Sequence, residues 1–554
     1  MRKVKNWNTN MKRLMAALLG VFLCCQPMVA MAAEWQREGG VYQMPDGTGI
    51  QGAITRGIDV SHWKGVIDWG QVAAQDVNFV MIGTRFQGQA DPFFAQNATA
   101  ARAAGLNVGA YIYSYATSVE MAEQEADFVL DLIKDYPISF PVAFDAEDAN
   151  TLGTLTPTQV SEVINAFCRK IEAAGYHPMV YANETWLNSK IDLSQINYDV
   201  WVARYGTRYT YSSPAMWQAT NTGSISGVNG AVDIDFLFKD YNSMIPANTW
   251  RTIGGNQYYY KNYEMQKDSW INDGLGWFYM NESGNPKKGW MTTDAGTYYM
   301  DETSGMMTTG WKVLDGNQYL FSGEGIMATG WADVDGARYY LNDKGVMQTQ
   351  WQSVDGKWYY LSDTGAMQTG WQDMNGARYY MDSTGAMQTG WQDIDGARYY
   401  LNASGVMQTG WQNLDGKWFY LNEAGAMQTG WQSINNSWYY MDEAGVQQTG
   451  FQEIDGARYY LNESGVLQTG WQDIDGMKYY LGDSGIVQTG WARIDGAWYY
   501  LNSSGIMEIG WQTIDGALYY LDPATGHLTV DTVLELEGVP YQADGNGVCT
   551  PLQA

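Results

Sequence analysis

The chain has 554 residues, too many for one hydrophobic core, and its composition changes near residue 245, so at least two domains are expected. A formal net charge of -28 argues against nucleic acid or an anionic membrane surface as the main partner, because phosphate binding needs concentrated Lys and Arg. Many of its 25 Trp and 40 Tyr recur at fixed intervals, which points to ligand-stacking surfaces or a repetitive core.

Basic residues at Arg2, Lys3, Lys5, Lys12 and Arg13 precede an apolar stretch from Leu14 to about Cys25, and Ala30-Met31-Ala32 follows. This order describes a secretory signal peptide over residues 1–32, cut after Ala32. Neither Cys24 nor Cys25 follows a small residue, so no membrane anchor is expected. The remaining Cys168 and Cys549 read as isolated thiols, and with His62, His177 and His527 scattered along the chain no metal centre is expected.

Residues 33–54 contain Gly39-Gly40 and Pro45-Asp46-Gly47 with few apolar pairs, and read as a leader or linker. From Arg56, strand patterns alternate with helical ones: strand 57–60, helix 69–75, strand 78–82, helix 93–104, strand 108–115, helix 119–135, a strand from Phe140, helix 157–174 and strand 178–181. Such alternation predicts a parallel sheet with crossover helices. Further strands at 200–204, 215–219 and 232–238 bring the count to eight, with helices mainly in the first five gaps. The expected fold is therefore α/β, an incomplete (β/α)8-type barrel over residues 55–245, with function at the C-terminal strand ends.

The stretch from Phe140 to Asp148 carries the strongest chemical signal. Its apolar run ends in three acids, and strand alternation sends Asp145 and Glu147 to one side. Two carboxylates sharing a site cannot both ionise freely, so one is left as a proton donor, as glycosidic bond cleavage requires. Asp59 at the end of the first strand and Asp233 and Asp235 on the last would join them when the barrel closes. Tyr111, Tyr113, Trp201, Tyr205 and Trp217 lie on strands where rings either stack on sugar or fill the core, and Tyr205 and Trp217 are the expected substrate contacts.

Residues 56–241 resemble the glycoside hydrolase family 25 lysozymes, the Chalaropsis-type muramidases, through Gly57-Ile58-Asp59-Val60-Ser61, Phe144-Asp145-Ala146-Glu147-Asp148, Trp201-Val202-Ala203-Arg204-Tyr205, Met216-Trp217-Gln218 and Val232-Asp233-Ile234-Asp235-Phe236. The resemblance implies cleavage of the β-1,4 bond between N-acetylmuramic acid and N-acetylglucosamine, with Glu147 as general acid. Asp145 and Asp59 would steady positive charge at the sugar, and Asp233 would belong to the same acidic cluster. Asp235 matches a position where the family also has Asn, and is kept as a substrate-binding candidate. A retaining outcome is implied, with either a carboxylate or the substrate's own acetamido oxygen as nucleophile. No cofactor is implied.

From Trp250 a repeat of about 20 residues sets in, strict from Trp311 onward. Asp395-Gly396 between two short apolar segments is a hairpin signal, and one such hairpin cannot stand alone. An all-β solenoid of stacked hairpins is expected over residues 250–522, with a degenerate cap at 523–554. These units resemble choline-binding, or cell-wall-binding, repeats, which implies peptidoglycan and teichoic acid or another wall polymer as partners, with choline as a candidate ligand. Trp358 and Tyr360 share a strand face, and with Trp371 are expected to wall a cationic pocket; Trp418, Trp438 and Trp498 occupy the position of Trp358 in other repeats. Arg338, Arg378, Arg398 and Arg458 stand at that position elsewhere, where a guanidinium is expected to be structural or to contact an anionic polymer. The alternatives to a secreted, wall-associated hydrolase are a non-catalytic wall-bound adhesin and a glucan-binding surface protein.

Overall fold

The computed structural model describes residues 35–552, so the expected signal peptide lies outside the described residues. Three short strands come first: β1 (Arg37–Glu38), β2 (Val41–Gln43) and β3 (Gly49–Ile50) form an antiparallel sheet. The described part of the expected linker, residues 35–54, is packed onto the barrel, because Trp35, Tyr42, Met44 and Ile50 are buried in its core cluster. Trp35 packs edge-on to Trp217 at 6.2 Å between ring centroids. Gly and turn residues mask this segment in the sequence, since its apolar side chains are too widely spaced to show a period.

The barrel is built from β4 (Thr55–Val60), α1 (Trp69–Ala73), β5 (Phe79–Gly83), a small hairpin of β6 (Arg85–Phe86) and β7 (Gln89–Ala90), α2 (Phe94–Ala103), β8 (Asn107–Tyr113), α3 (Val119–Ile133) and β9 (Val142–Asp145). It continues with α4 (Pro157–Ala173), β10 (Pro178–Asn183), α5 (Glu184–Ser189), β11 (Asp199–Ala203), β12 (Met216–Gly223) and β13 (Val232–Leu237). Eight strands close in the order β10-β11-β12-β13-β4-β5-β8-β9. Seven run parallel, whereas β13 is antiparallel to both β12 and β4. The short β12–β13 connection dictates this, because a parallel return needs a crossover of a dozen or more residues.

Alternation along the strands divides the side chains into two sets. Ile58, Val80, Val108, Phe144, Val180, Val202, Trp217 and Phe236 point outward, the last two under Trp35 and Tyr42 of the N-terminal segment, while Phe79, Met81, Ala143, Met179, Trp201 and Met216 fill the interior. Gly57 is required by that filling: a Cβ there would stand 2.3 Å from the Phe79 ring. The two longest of these helices start where capping chemistry predicts. Ser118 caps α3 by accepting from Met121 N, and Thr156 with Gln159 forms a capping box before Pro157.

The expected boundary near 245–250 does not separate two cores. The hairpin β14 (Thr249–Ile253) and β15 (Asn256–Lys261), with β16 (Glu264–Met265), packs onto the barrel through Ile253, Tyr258 and Tyr260, and Tyr263 joins the cluster that fills the interior. Arg251, 2% exposed, lies between the rings of Tyr176 at 3.9 Å and Tyr260 at 4.4 Å. Residues 35–310 with 321–327 form one compact unit, and 311–320 with 328–552 form the other.

Within the repeats, each unit is a two-stranded antiparallel hairpin such as Gly370–Met374 with Ala377–Met381. The turns hold Asp395 at φ 50° and Gly396 at φ 81°, the left-handed pair that a two-residue hairpin loop demands. Neighbouring units are tied by backbone bonds, among them Met367 N to Arg338 O at 2.7 Å and Met387 N to Trp358 O at 2.8 Å. The fully buried column is aliphatic: Leu341, Leu361, Met381, Leu401 and their successors are 0% exposed. Trp331, Trp371 and Trp411 remain partly exposed beside that column, so they are not the solenoid core. Residues 533–551 form a three-stranded sheet in which Tyr541 lies 5.5 Å from Trp511.

Candidate active site

Four carboxylates converge at the C-terminal end of the barrel. Asp145 is the last residue of β9, in register with Tyr113 on β8 and Tyr181 on β10, and Asp59 near the end of β4 is paired with Asp233 on β13. Glu147 lies two residues past β9. All four line a cavity of about 500 Å³ together with Tyr111, Tyr181, Tyr205 and Trp201. Asp148, the third acid of that stretch, closes the loop instead: its Oδ1 accepts from Asn150 N and from both N and Oγ1 of Thr151.

Burial and crowding of like charge set the protonation of the group. Desolvation raises the Glu147 carboxyl above the ordinary range, the Asp233 charge adds to it, and a hydrogen bond from Asn183 Nδ2 to Glu147 Oε2 at 3.3 Å opposes it. Asp145 is held well above the usual carboxylate range by burial and by the charges of Glu147 and Asp59. Asp59 is likewise raised by burial and by Asp233, against the hydrogen bond that Gln218 Nε2 donates to its Oδ2 at 2.6 Å. A site of this kind keeps a carboxylic acid to higher pH than isolated carboxyls would while retaining negative charge beside it, which is what protonating a leaving-group oxygen and steadying an oxocarbenium-like sugar need.

The remaining expected residues divide. Tyr205 is half exposed on the cavity wall, and its hydroxyl donates to Gln218 Oε1 at 2.8 Å. Asp235 is fully buried and does not line the cavity; its Oδ1 accepts from Trp201 Nε1 at 2.9 Å. Trp217 does not line the cavity. It is 0% exposed on the outer side of β12, packed on Trp35, Tyr209 and Phe236, with its Nε1 donating to Arg204 O at 2.9 Å. Strand alternation accounts for the error, since Gln218, its neighbour, takes the inward place. Gln218 was missed as a site residue, although its parity with Met216 could have found it. Trp63 was missed too; it is 79% exposed at the cavity rim, beside His62 at 4.4 Å.

In the repeats, Trp351 meets Trp358 at 6.3 Å and Tyr360 at 5.3 Å within its own hairpin, and Tyr379 of the next at 5.1 Å. Trp371 does not complete that group. It packs on Tyr380 and Tyr399, with Arg378 over its ring, because each leading tryptophan faces its own second strand and the hairpin after it. Trp431, Trp438 and Tyr459 line a cavity of about 510 Å³ in the same arrangement.

Comparison with known proteins follows this division of the chain. Residues 58–228 match Glycosyl hydrolases family 25. Segments spanning 308–468 and 488–532 match the Choline-binding repeat, and 469–487 a Putative cell wall binding repeat. The chain joins a family 25 glycosyl hydrolase domain to choline-binding repeats. The hydrolase domain is 29% identical over 189 residues to the uncharacterized protein YegX of Escherichia coli, covering 32% of this chain and 68% of that protein. It is 28% identical over 208 residues to lysozyme M1 of Streptomyces globisporus, covering 34% of this chain and 67% of that enzyme. The repeats are similar to choline binding protein F of Streptococcus pneumoniae, solved in the presence of a peptidoglycan analogue, at 31% identity over 47% of this chain and 98% of that one, with a TM-score of 0.32.

Proposed function

We propose that this protein is a secreted peptidoglycan hydrolase that cleaves the β-1,4 bond between N-acetylmuramic acid and N-acetylglucosamine and is held at the bacterial cell wall by its repeats. The observation that carries the reading is the convergence of Asp59, Asp145, Glu147 and Asp233 on one cavity walled by tyrosines. Glu147 protonates the glycosidic oxygen; burial raises its pKa, so it keeps the proton to higher pH than an ordinary glutamate. Burial makes the acids share few charges, and the negative charge that the Asp145, Asp59 and Asp233 cluster retains meets the positive sugar as the bond breaks, the hydrogen bond from Gln218 favouring ionised Asp59 against that burial. Tyr205 borders the same space and offers a ring face to a sugar.

The repeats serve as a multivalent tether to teichoic acid or another wall polymer, with choline as the recognised group. Many weak contacts raise the local concentration of the catalytic domain on its insoluble substrate. Incubation of the purified chain with peptidoglycan, followed by mass analysis of the fragments, tests the chemistry. New N-acetylmuramic acid reducing ends are expected. N-acetylglucosamine ends would reassign the bond, and no fragments at all would favour a wall-bound adhesin.

A further inference from the structure

Two kinds of hairpin recur along the repeats, beside others such as those that pair Lys478 with Asp473 and Leu518 with Thr513, and two positions facing each other across the strands tell them apart. Where the second strand carries arginine, the partner on the first strand is always an acid: Arg338 faces Asp333, Arg378 faces Asp373, Arg398 faces Asp393 and Arg458 faces Glu453. Each pair is an ion pair, with Nε to carboxylate oxygen distances of 3.4 to 3.6 Å. Each guanidinium also lies over the leading ring of its own hairpin, 5.5 Å from Trp331, 4.9 Å from Trp371, 5.1 Å from Trp391 and 4.0 Å from Phe451.

Where the second strand carries tryptophan, no acid faces it. Trp277 faces Asn272, Trp358 faces Ser353, Trp418 faces Asn413, Trp438 faces Ser433 and Trp498 faces Arg493. All five tryptophans are 45–49% exposed, so the five stand in one environment. In each case the leading tryptophan also meets a tyrosine of the following hairpin, from 4.8 to 5.1 Å away: Trp270 with Tyr298, Trp351 with Tyr379, Trp411 with Tyr439, Trp431 with Tyr459 and Trp491 with Tyr519. Three rings from two hairpins therefore surround one place. Trp277 belongs to this set although it lies before the strict part of the repeat.

A cation seated on a ring face repels a second one there; Arg338, Arg378, Arg398 and Arg458 are so seated, whereas Arg493, opposite Trp498 on the first strand, makes no such ring contact among the described residues. We infer that the four arginine hairpins are closed by a cation of their own, the guanidinium taking the ring face that a quaternary ammonium would use while the facing acid holds it there, and that ammonium recognition is confined to the five three-ring hairpins. This division rests on the reading of the repeats as a choline-directed tether. It also accounts for the pairing of the charges: an arginine awaiting an anionic polymer would not need an acid opposite it in every case.

The test is calorimetric titration of the full chain with choline chloride. Five sites per chain are expected. The double substitution Asp373→Ser with Arg378→Trp, which copies Ser353 and Trp358, should raise the number to six, and Ser353→Asp with Trp358→Arg should lower it to four. These side chains are at least partly exposed on hairpins of identical register, so circular dichroism of both variants should match the parent. A parent count that includes the arginine hairpins, or counts unmoved by the exchanges, would overturn the division while leaving choline recognition standing. No heat of binding in the parent or in the six-site variant would remove choline recognition itself, and the division with it.

Discussion

Gln218 on β12 donates its amide to Asp59 on β4 over 2.6 Å while its carbonyl accepts from the hydroxyls of Tyr181 and Tyr205, so one side chain links the acid cluster to the cavity wall. The donated bond opposes the rise of the Asp59 pKa that burial and Asp233 cause. In Gln218→Leu that opposition is lost, and Asp59 stays protonated to higher pH. The acid limb of the pH–rate profile should move upward. A hydrogen bond to a charged group is worth about 1.5–3 kcal/mol, so the rate at neutral pH should fall roughly ten- to a hundredfold. An unmoved acid limb would mean that Asp59 does not act ionised.

Glu147→Gln keeps the size of the side chain and the hydrogen bond from Asn183 but removes the proton. General acid catalysis is commonly worth about 10²–10⁴-fold, and release of fragments from peptidoglycan should drop by that much with the melting temperature unchanged. Because burial and Asp233 hold the Glu147 pKa above its ordinary range, the alkaline limb of the parent profile should lie above that range as well. A parent rate that declines as soon as an ordinary glutamate ionises would reassign the acid.

Much of the barrel was legible because its signals are local. The alternation of apolar runs with helical patterns placed all eight strands, and the four acids that line the cavity all stand at or near strand ends that the pattern marked. The losses arose where contacts are non-local. Residues 33–54 look like a linker until Trp35 and Tyr42 are seen packed on Phe236 of β13, and Trp217 reads as a substrate ring until its parity is set by β13. The antiparallel β13 could not be read from composition, since it follows from the length of a loop. In the repeats, spacing located every hairpin, but only the stacking of one unit on the next shows that Trp351 meets Tyr379, not Trp371.

The first hairpin of the repeat region belongs energetically to the barrel. Tyr260 is fully buried, its hydroxyl donates to Lys134 O at 2.7 Å, and its ring holds Arg251 with Tyr176. A fragment ending at residue 245 should therefore melt lower than one ending at 267, and Tyr260→Ala in the longer fragment should cost about 3–5 kcal/mol, the usual penalty for emptying an aromatic site. Denaturant midpoints of the two fragments decide the point. Equal midpoints would show that the barrel does not depend on this hairpin.

Trp63 at the cavity rim has little packing to lose, since beyond its contacts with His62 at 4.4 Å and Phe86 at 6.2 Å most of its surface faces solvent. Trp63→Ala should leave thermal stability unchanged and weaken substrate binding. A stacked ring contributes about 0.5–1.5 kcal/mol beyond its area, so KM for soluble glycan fragments should rise roughly three- to tenfold with kcat little altered. A fall in kcat alone would point to a part in the chemistry and not in holding the sugar.

Asp235 bears on stability more than on rate. Burial raises its pKa well above the ordinary value, and the charges of Asp59 and Asp233 raise it further. The folded state therefore keeps a proton that the unfolded chain has released. By linkage, the stability this group contributes is full below the ordinary carboxylate range and is lost as pH rises through the folded pKa. Asp235→Asn removes the titration yet preserves an acceptor for Trp201 Nε1, whose bond to Asp235 Oδ1 spans 2.9 Å. The variant should melt higher than the parent at neutral pH, by about 2–4 °C for each kcal/mol of charge cost relieved, and the two should converge near about pH 4, where an unfolded aspartate is itself protonated. Melting curves across that range are the measurement. A variant that melts lower than the parent at neutral pH would show that the ionised carboxylate is needed for the fold.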